Sequence, residues 1–315
     1  MKDGVRFATT PEEKSASFRL RYQVYVEEMN RFSDQADHQT HELRDTFDET
    51  ARALIGVSDG EVVATLRCHW GGDGPFPDEV RSVYMLDRFA DIVSDAQMMV
   101  VERMMVPADR RGAGRLSSQI YNALYQFVVD VGVELVFLDS EPHLINNWLK
   151  LGFRPFAPTT TYGGVGLVVP LVGVVWDQAH LAKVGSPLLM TLRESDSKTD
   201  HASVVERVLK RLPELAPLVS ERASGAGQVL DTVYQSVAAS SRDRPFIFDG
   251  MSEDEVRTVL ERSHVIRCGI GDYIIQEGNT AQTLFVLLSG VAEVRRDGEL
   301  IAVLAPGAVM GEVAF

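Results

Sequence analysis

A nearly unbroken apolar run, MMVVERMMV (98–106), is followed by Pro107, a basic glycine-rich turn and then an amphipathic stretch. Few chain paths accommodate that order. The run suits a strand covered on both faces, and Pro107 ends its ladder. Leu116, Ile120, Ala123, Leu124, Phe127 and Val128 recur at three- and four-residue spacing and predict one buried helix face. Between them lies Arg110-Arg111-Gly112-Ala113-Gly114-Arg115. There the glycines admit close backbone approach, and the first helical N–H groups lack intrahelical partners. Three arginines beside such groups make a candidate anion site for a pyrophosphate or phosphopantetheine, or else a plain surface turn.

Beyond the helix come a short apolar strand, GVELVFLDS (132–140), and EPHLINNWLKLGFRPF (141–156), a helix closing on Leu151-Gly152-Phe153. This order resembles the GNAT acyltransferases, whose phosphate loop reads R-G-x-G-x-G or A and whose fourth helix ends in K-L-G-F. Arg111, Gly112 and Gly114 match, while Leu116 stands where the family has a small residue. The resemblance implies an α/β (α+β) mixed sheet with flanking helices and an acyl thioester donor, coenzyme A or a phosphopantetheine carrier. The implied donor-binding residues are Met104, Met105 and Val106, whose backbone would pair with pantetheine, and the loop residues Arg111, Gly112, Ala113, Gly114, Arg115 and Leu116. Many of these enzymes carry an acidic tyrosine where this chain has Trp148.

Earlier in the chain, Thr10-Pro11-Glu12-Glu13 predicts a capped helix start, with Phe18, Tyr22, Tyr25, Val26 and Met29 as its apolar stripe. Residues 32–50 read as a long acidic loop. Asp59-Gly60 predicts a hairpin turn between two apolar strands. RYQVY (21–25), DTFD (45–48) and Thr65-Leu66-Arg67 resemble the acyl-homoserine-lactone synthases and related N-acyl amino acid synthases, which carry R-x-x-V-F, D-x-F-D and S-L-R. That match makes Arg21, Asp45, Asp48 and Arg67 the charges of the acyl and acceptor sites; alternatively they tie a loop to a sheet by ion pairs. Cys68-His69-Trp70 replaces the L-P-T of the lactone synthases, so homoserine lactone is not the expected product.

Glu102 is a lone carboxylate in an apolar strand. Burial raises such a pKa unless the group is paired, and a raised pKa suits a base for an ammonium acceptor. We read it as the catalytic base, against an ion pair with Arg103 or a solvent-facing edge. Residues 71–96 predict a loop and then a helix carrying Val80, Val83, Met85, Leu86, Phe89 and Ile92. The small and branched residues of 159–181 suit a core or an acyl tunnel. An amphipathic helix with Val204, Val205, Val208, Leu209 and Leu212 ends at Pro213, and another lies around 229–237.

From Phe246 the pattern changes to short strands between Gly271, Gly278, Gly290, Gly298, Gly307 and Gly311, as in a β-roll or barrel. GDYIIQEG, FVLLSG and PGAVMGEVA resemble the cyclic-nucleotide-binding domains of the cyclic-AMP receptor and kinase regulatory families. Gly311, Glu312, Val313 and Ala314 match the segment that cradles the cyclic phosphate and the ribose. The phosphate arginine would follow Phe315, so the resemblance implies a partial module and cyclic AMP binding only in a complete parent.

The organisation is therefore 1–180 acyltransferase, 181–243 helical linker and 244–315 partial nucleotide module. Two cysteines far apart imply neither a disulfide nor a metal pair, and each is expected to be a buried thiol. No histidine spacing suggests a metal. A net charge of −14 argues against a nucleic-acid partner. With no membrane span and no signal peptide, a cytoplasmic enzyme is expected. Its substrates are a small-molecule amine and an acyl donor, with acyl carrier protein as a candidate partner. The competing reading is a non-catalytic signalling module whose GNAT-like fold only binds ligand.

Overall fold

Local signals set most of the elements in the computed structural model, which describes residues 1–110, 115–141, 144–157, 160–162, 165–195, 200–215, 250–261, 263, 268, 274–275, 284–296 and 298–311. Thr10 caps α1 (Pro11–Arg21), and Glu13 completes the box by accepting from the cap backbone. The helix then widens into a π-helical segment, Tyr22–Glu28. β2 (Arg52–Ser58) and β3 (Glu61–Trp70) form the hairpin. Asp59 and Gly60 both take positive φ, +55° and +77°, the conformation a two-residue primed turn requires.

The principal sheet adds β1 (Gly4–Phe7), β4 (Met98–Met105), β5 (Leu135–Ser140), β6 (Arg154–Pro155), β7 (Thr160–Tyr162) and β8 (Gly166–Val174). Its order is β1-β2-β3-β4-β5-β8-β6, with β7 also on β8. Among the described strands only β4 and β5 run parallel, joined through α3 (Arg115–Asp130).

Side-chain alternation along these strands feeds two cores. On the α3 face, Met99, Val101, Val136 and Leu138 pack with Ile120, Leu124 and Val128. On the other face, Met98, Val100, Leu135 and Phe137 pack with Phe89 and Phe156. The single helix expected within 71–96 is instead α2 (Asp78–Val83) and a 3-10 turn, Leu86–Phe89, because Met85 adopts a left-handed φ of +49° between them. α4 (Ile145–Leu151) ends where expected, at Gly152, whose φ is +104° and where a Cβ would strike Leu181.

The described helices between 178 and 215 pack on the sheet. Leu181 of α5 (Gln178–Val184) and Leu188 and Leu192 of α6 (Leu188–Arg193) join the α3-side core. Val208 and Leu212 of α7 (Ala202–Leu215) join the opposite one. α7 also runs past Pro213 rather than stopping there. The helix expected around 229–237 lies outside the described residues.

In the C-terminal part, α8 (Glu253–Glu261) precedes two antiparallel pairs, β10 (Ala292–Arg296) with β11 (Glu299–Leu304), and β9 (Phe285–Val286) with β12 (Val309–Met310). Cys68 is buried as expected, and burial pushes its thiol up to about 12. Cys268, expected to be buried, is exposed.

Candidate active site

The D-x-F-D segment folds on itself before it touches anything else. Asp45 caps a 3-10 turn, Thr46–Glu49, by accepting from Phe47 N at 3.0 Å, and Asp48 Oδ2 accepts from Asp45 N at 3.0 Å. Asp45 Oδ1, Asp45 Oδ2 and Asp48 Oδ1 each also accept from an arginine. Arg21 Nη1 donates to Asp48 Oδ1 at 2.6 Å, Arg67 Nη1 to Asp45 Oδ1 at 2.6 Å, and Arg103 Nη2 to Asp45 Oδ2 at 2.7 Å. The four charges inferred from the synthase motifs thus meet in one cluster.

Glu102 belongs to the same cluster. Arg67 Nε and Nη2 hold its Oε2 at 2.8 and 2.7 Å, His69 Nε2 lies 3.4 Å away, and the Tyr84 hydroxyl reaches Oε1 at 3.3 Å. Burial alone would raise this carboxylate, but His69 and Arg67 outweigh it and hold the pKa down at about 2. The raised pKa considered for an unpaired carboxylate is therefore absent, because β3 places Arg67 opposite Glu102 in the ladder. Burial and the Arg21 and Arg67 charges act in opposite directions on Asp48, with the net result downward. Arg67 itself is raised: burial opposes its charge, and Glu102, Asp48 and Asp45 overcome that.

Two backbone features open the sheet beside this cluster. Between Arg67/Glu102 and Thr65/Met105, β4 carries one residue more than β3, a bulge at which Arg103 takes a φ of +51°. The β4–β5 ladder pairs only Met98, Met99 and Val100, with Leu135, Val136 and Phe137. Beyond that point the two strands part. The gap is flanked on one face by Glu102 and, through the same alternation, by Asp139, each two residues beyond the last apolar pair, Val100 and Phe137.

Asp139 was not among the residues the sequence singled out. A carboxylate closing the apolar strand LVFLDS, beside a strand that already carries Glu102, was the available signal. Burial first, and the neighbouring charge of Glu102 second, raise its pKa to about 7, against hydrogen bonds from its own backbone and from Tyr84.

On the opposite face, a cavity with about 550 Å3 of empty space, open mouth included, is lined by Leu66, Val101, Leu124, Val136, Leu138 and Trp148 among others. Val101 and Leu138 are the first residues past the strand separation. Trp148 packs its ring 5.3 Å from that of Tyr121, another lining residue, whose phenol burial pushes up to about 12.

Of the residues expected to hold the donor, Met105 is buried against Leu20 and Val24. Val106 is buried in the α3-side core, where Met104 and Leu116 are partly buried. Arg115 opens α3. Arg111, Gly112, Ala113 and Gly114 lie outside the described residues, as do Glu312, Val313 and Ala314. Gly311 follows β12 with a φ of +93°. Among the described residues no His, Cys, Asp and Glu group could hold a metal, and no helix is long and apolar enough to cross a membrane.

Comparison with known proteins matches residues 16–174 to the family described as N-acyl amino acid synthase FeeM, and residues 266–315 to the cyclic nucleotide-binding domain. The structure of FeeM, an N-acyl amino acid synthase from uncultured soil microbes, is 14% identical with a TM-score of 0.46, over 58% of this chain and 98% of that one. That of BjaI, a coenzyme A-dependent acyl-homoserine lactone synthase, is 20% identical with a TM-score of 0.43, over 62% and 90%. A cAMP-dependent protein kinase regulatory subunit of Yarrowia lipolytica is 28% identical over 90 residues, 29% of this chain. The cGMP-dependent protein kinase egl-4 of Caenorhabditis elegans is 31% identical over 65 residues, 21% of this chain. This chain spans only 23% and 8% of the length of those two curated relatives. The N-terminal part is a mixed α/β fold, and the family model covers 16–174, half of the sequence. The chain belongs to the FeeM family of N-acyl amino acid synthases.

Proposed function

We propose that this chain transfers an acyl group from a thioester of coenzyme A or of acyl carrier protein to the amine of an amino acid. The observation that carries this reading is the division of labour across the parted strands: an apolar cavity on one face and a cluster of arginines and carboxylates on the other. A thioester lying in the gap would send its acyl chain toward Val101 and Leu138 and expose its carbonyl carbon to an acceptor on the charged face. Backbone donors of β4 beyond Val100 are candidates to pair with the pantetheine as an added strand, and to receive the developing oxyanion. The loop arginines would take the donor's phosphates.

The acceptor's carboxylate falls to Arg103 rather than to Arg67. Arg67 is committed to three carboxylates. Arg103 Nη1 is buried with no hydrogen-bond partner, and an anion there would relieve the cost of leaving that donor unpaired. Through the second module, cyclic nucleotide would modulate the transfer by binding two states of the protein unequally.

Free-thiol release tests the reading. Acetyl-coenzyme A, dodecanoyl-coenzyme A and dodecanoyl acyl carrier protein are each offered with a mixture of the common amino acids. Release dependent on amino acid and larger with a long-chain donor is expected. Absence of release from every donor by folded protein overturns the transfer reading and leaves a ligand-binding module.

A further inference from the structure

Two carboxylates face each other where β4 and β5 separate, and their surroundings divide them into unlike roles. Glu102 is gripped by the Arg67 guanidinium through Nε and Nη2, with His69 Nε2 3.4 Å away. Asp139, among the described residues, forms no ion pair; its neighbours are the Glu102 carboxylate on β4, the Tyr84 phenol at the end of α2, Glu141 beyond its own strand and Tyr25 of the π-helical segment. Glu141 is already held by Arg31, whose Nη1 and Nη2 donate to it at 2.8 and 3.0 Å. β8 presents Pro170 opposite Asp139 and adds no titratable group there.

The Tyr84 hydroxyl lies between Asp139 and Glu102 and has one proton to share between them. Two like charges at one site cannot both ionise freely. With Glu102 fixed as the anion by its arginine, Asp139 is the member able to change its protonation.

We propose that Asp139 is the catalytic base that takes the proton of the acceptor ammonium, with Glu102 and Tyr84 as positioning residues that keep it ready. This rests on the acyl-transfer reading above. One Asp139 oxygen accepts a proton from R–NH3+, leaving the neutral amine with its lone pair directed into the gap. The nitrogen forms the new N–C bond to the thioester carbonyl carbon, and the C–S bond breaks with its electron pair on sulfur. The second proton lost by nitrogen goes to that sulfur, so that thiol leaves. Asp139 then returns its proton to solvent. No redox step or metal is required. A group that titrates near neutrality suits this task, whereas Glu102, at about 2, would hold an ammonium proton poorly.

The test uses the full chain with dodecanoyl-coenzyme A and the amino-acid mixture, following kcat/KM against pH in wild type, Asp139→Asn, Tyr84→Phe and Glu102→Gln. Wild type should show an acid limb close to neutrality. Asp139→Asn, nearly isosteric and relieved of repulsion from Glu102, should fold and lose roughly a hundredfold or more together with that limb. Tyr84→Phe should move the limb to higher pH and Glu102→Gln to lower pH.

Hydroxylamine, already unprotonated at neutral pH, should bring Asp139→Asn back to within a few-fold of wild type, a recovery that a merely structural role would not give. Independently of turnover, the infrared band of a protonated carboxyl should disappear as wild type is taken through neutral pH and be missing from Asp139→Asn. Wild-type rate and pH profile in Asp139→Asn, with thiol release intact in wild type, overturn the assignment while sparing the transfer reading. No thiol release from wild type removes both.

Discussion

Arg21 keeps its charge with none of its side chain reaching solvent. One nitrogen pairs with Asp48 at 2.6 Å, while Nε and Nη2 have no partner, and burial together with Arg67 and Arg103 pulls its pKa down against the attraction of Asp48. A buried pair of this kind is expensive to break from one side, because Asp48 would be left buried with only the shared Arg67, 3.4 Å away. Arg21→Ala should therefore cost about 3–5 kcal/mol, read by urea denaturation at neutral pH. The pH dependence has a definite sign. Asp48 sits below its ordinary value when folded, so the stability it contributes is complete above that ordinary value and is lost as pH falls through the folded one. The gap between wild type and Arg21→Ala should narrow on acidification below about pH 4. A constant gap down to acid unfolding would mean that the Arg21–Asp48 charge pair is not what the substitution removes.

At the scale of elements, what was legible followed the range of the interactions. The α1 cap, the Asp59-Gly60 turn and the apolar face of α3 are written in residues a few positions apart, and they stand as read. D-x-F-D is also local, since Asp45 and Asp48 close their own turn. The pairing of Glu102 depends on Arg67, thirty-five positions earlier, which is opposite only because of the β3–β4 register. No local pattern marks the left-handed Arg103 or the parting of β4 from β5, and without those two features Asp139 reads as an ordinary strand end. The periodicity of 204–212 showed one amphipathic helix but not that the core around Phe89 and Phe156 supplies its partner, and the helices Gln178–Val184 and Leu188–Arg193 were not read. The cavity gives a prediction at this scale. Leu124 points from α3 into it, opposite Val136 and Leu138. Leu124→Trp should fill the far part of the space, shifting donor preference by several carbons toward short chains while kcat with the best short donor stays within a few-fold. Overpacking of this sort costs about 1–3 kcal/mol, so the melting temperature should be recorded beside the donor panel. An unchanged chain-length profile in the folded variant would assign the cavity to packing alone.

Across the whole molecule, α7 is the last described helix that packs on the acyltransferase fold, and its seating is specified at both ends. At its start, His201 stacks on Trp176 with ring centroids 3.6 Å apart and meets Glu134 at 2.6 Å. Further along, Val208 and Leu212 enter the core that contains Phe89 and Phe156, and Arg211 pairs with Asp91 at 2.9 Å and with the carbonyl of Arg88. The exposed Arg211–Asp91 pair is screened by solvent and contributes little. Burying Val208 and Leu212 is worth more, about 1.5–3 kcal/mol each. A chain ending at Leu215 should then melt like the same fold in the full sequence, whereas one ending at Glu194 should lose roughly 3–6 kcal/mol. Differential melting of the two truncations measures this directly, and equal melting temperatures would reduce α7 to a tether. The comparison also bears on the chemistry, because α7 packs on the segment that includes Leu86 and Phe89, and the same segment begins with Tyr84, whose hydroxyl lies between Glu102 and Asp139. Loss of α7 should consequently displace the acid limb of the thiol-release profile as well as lower stability. A shorter chain that melts early yet keeps the wild-type limb at low temperature would confine α7 to a role in folding.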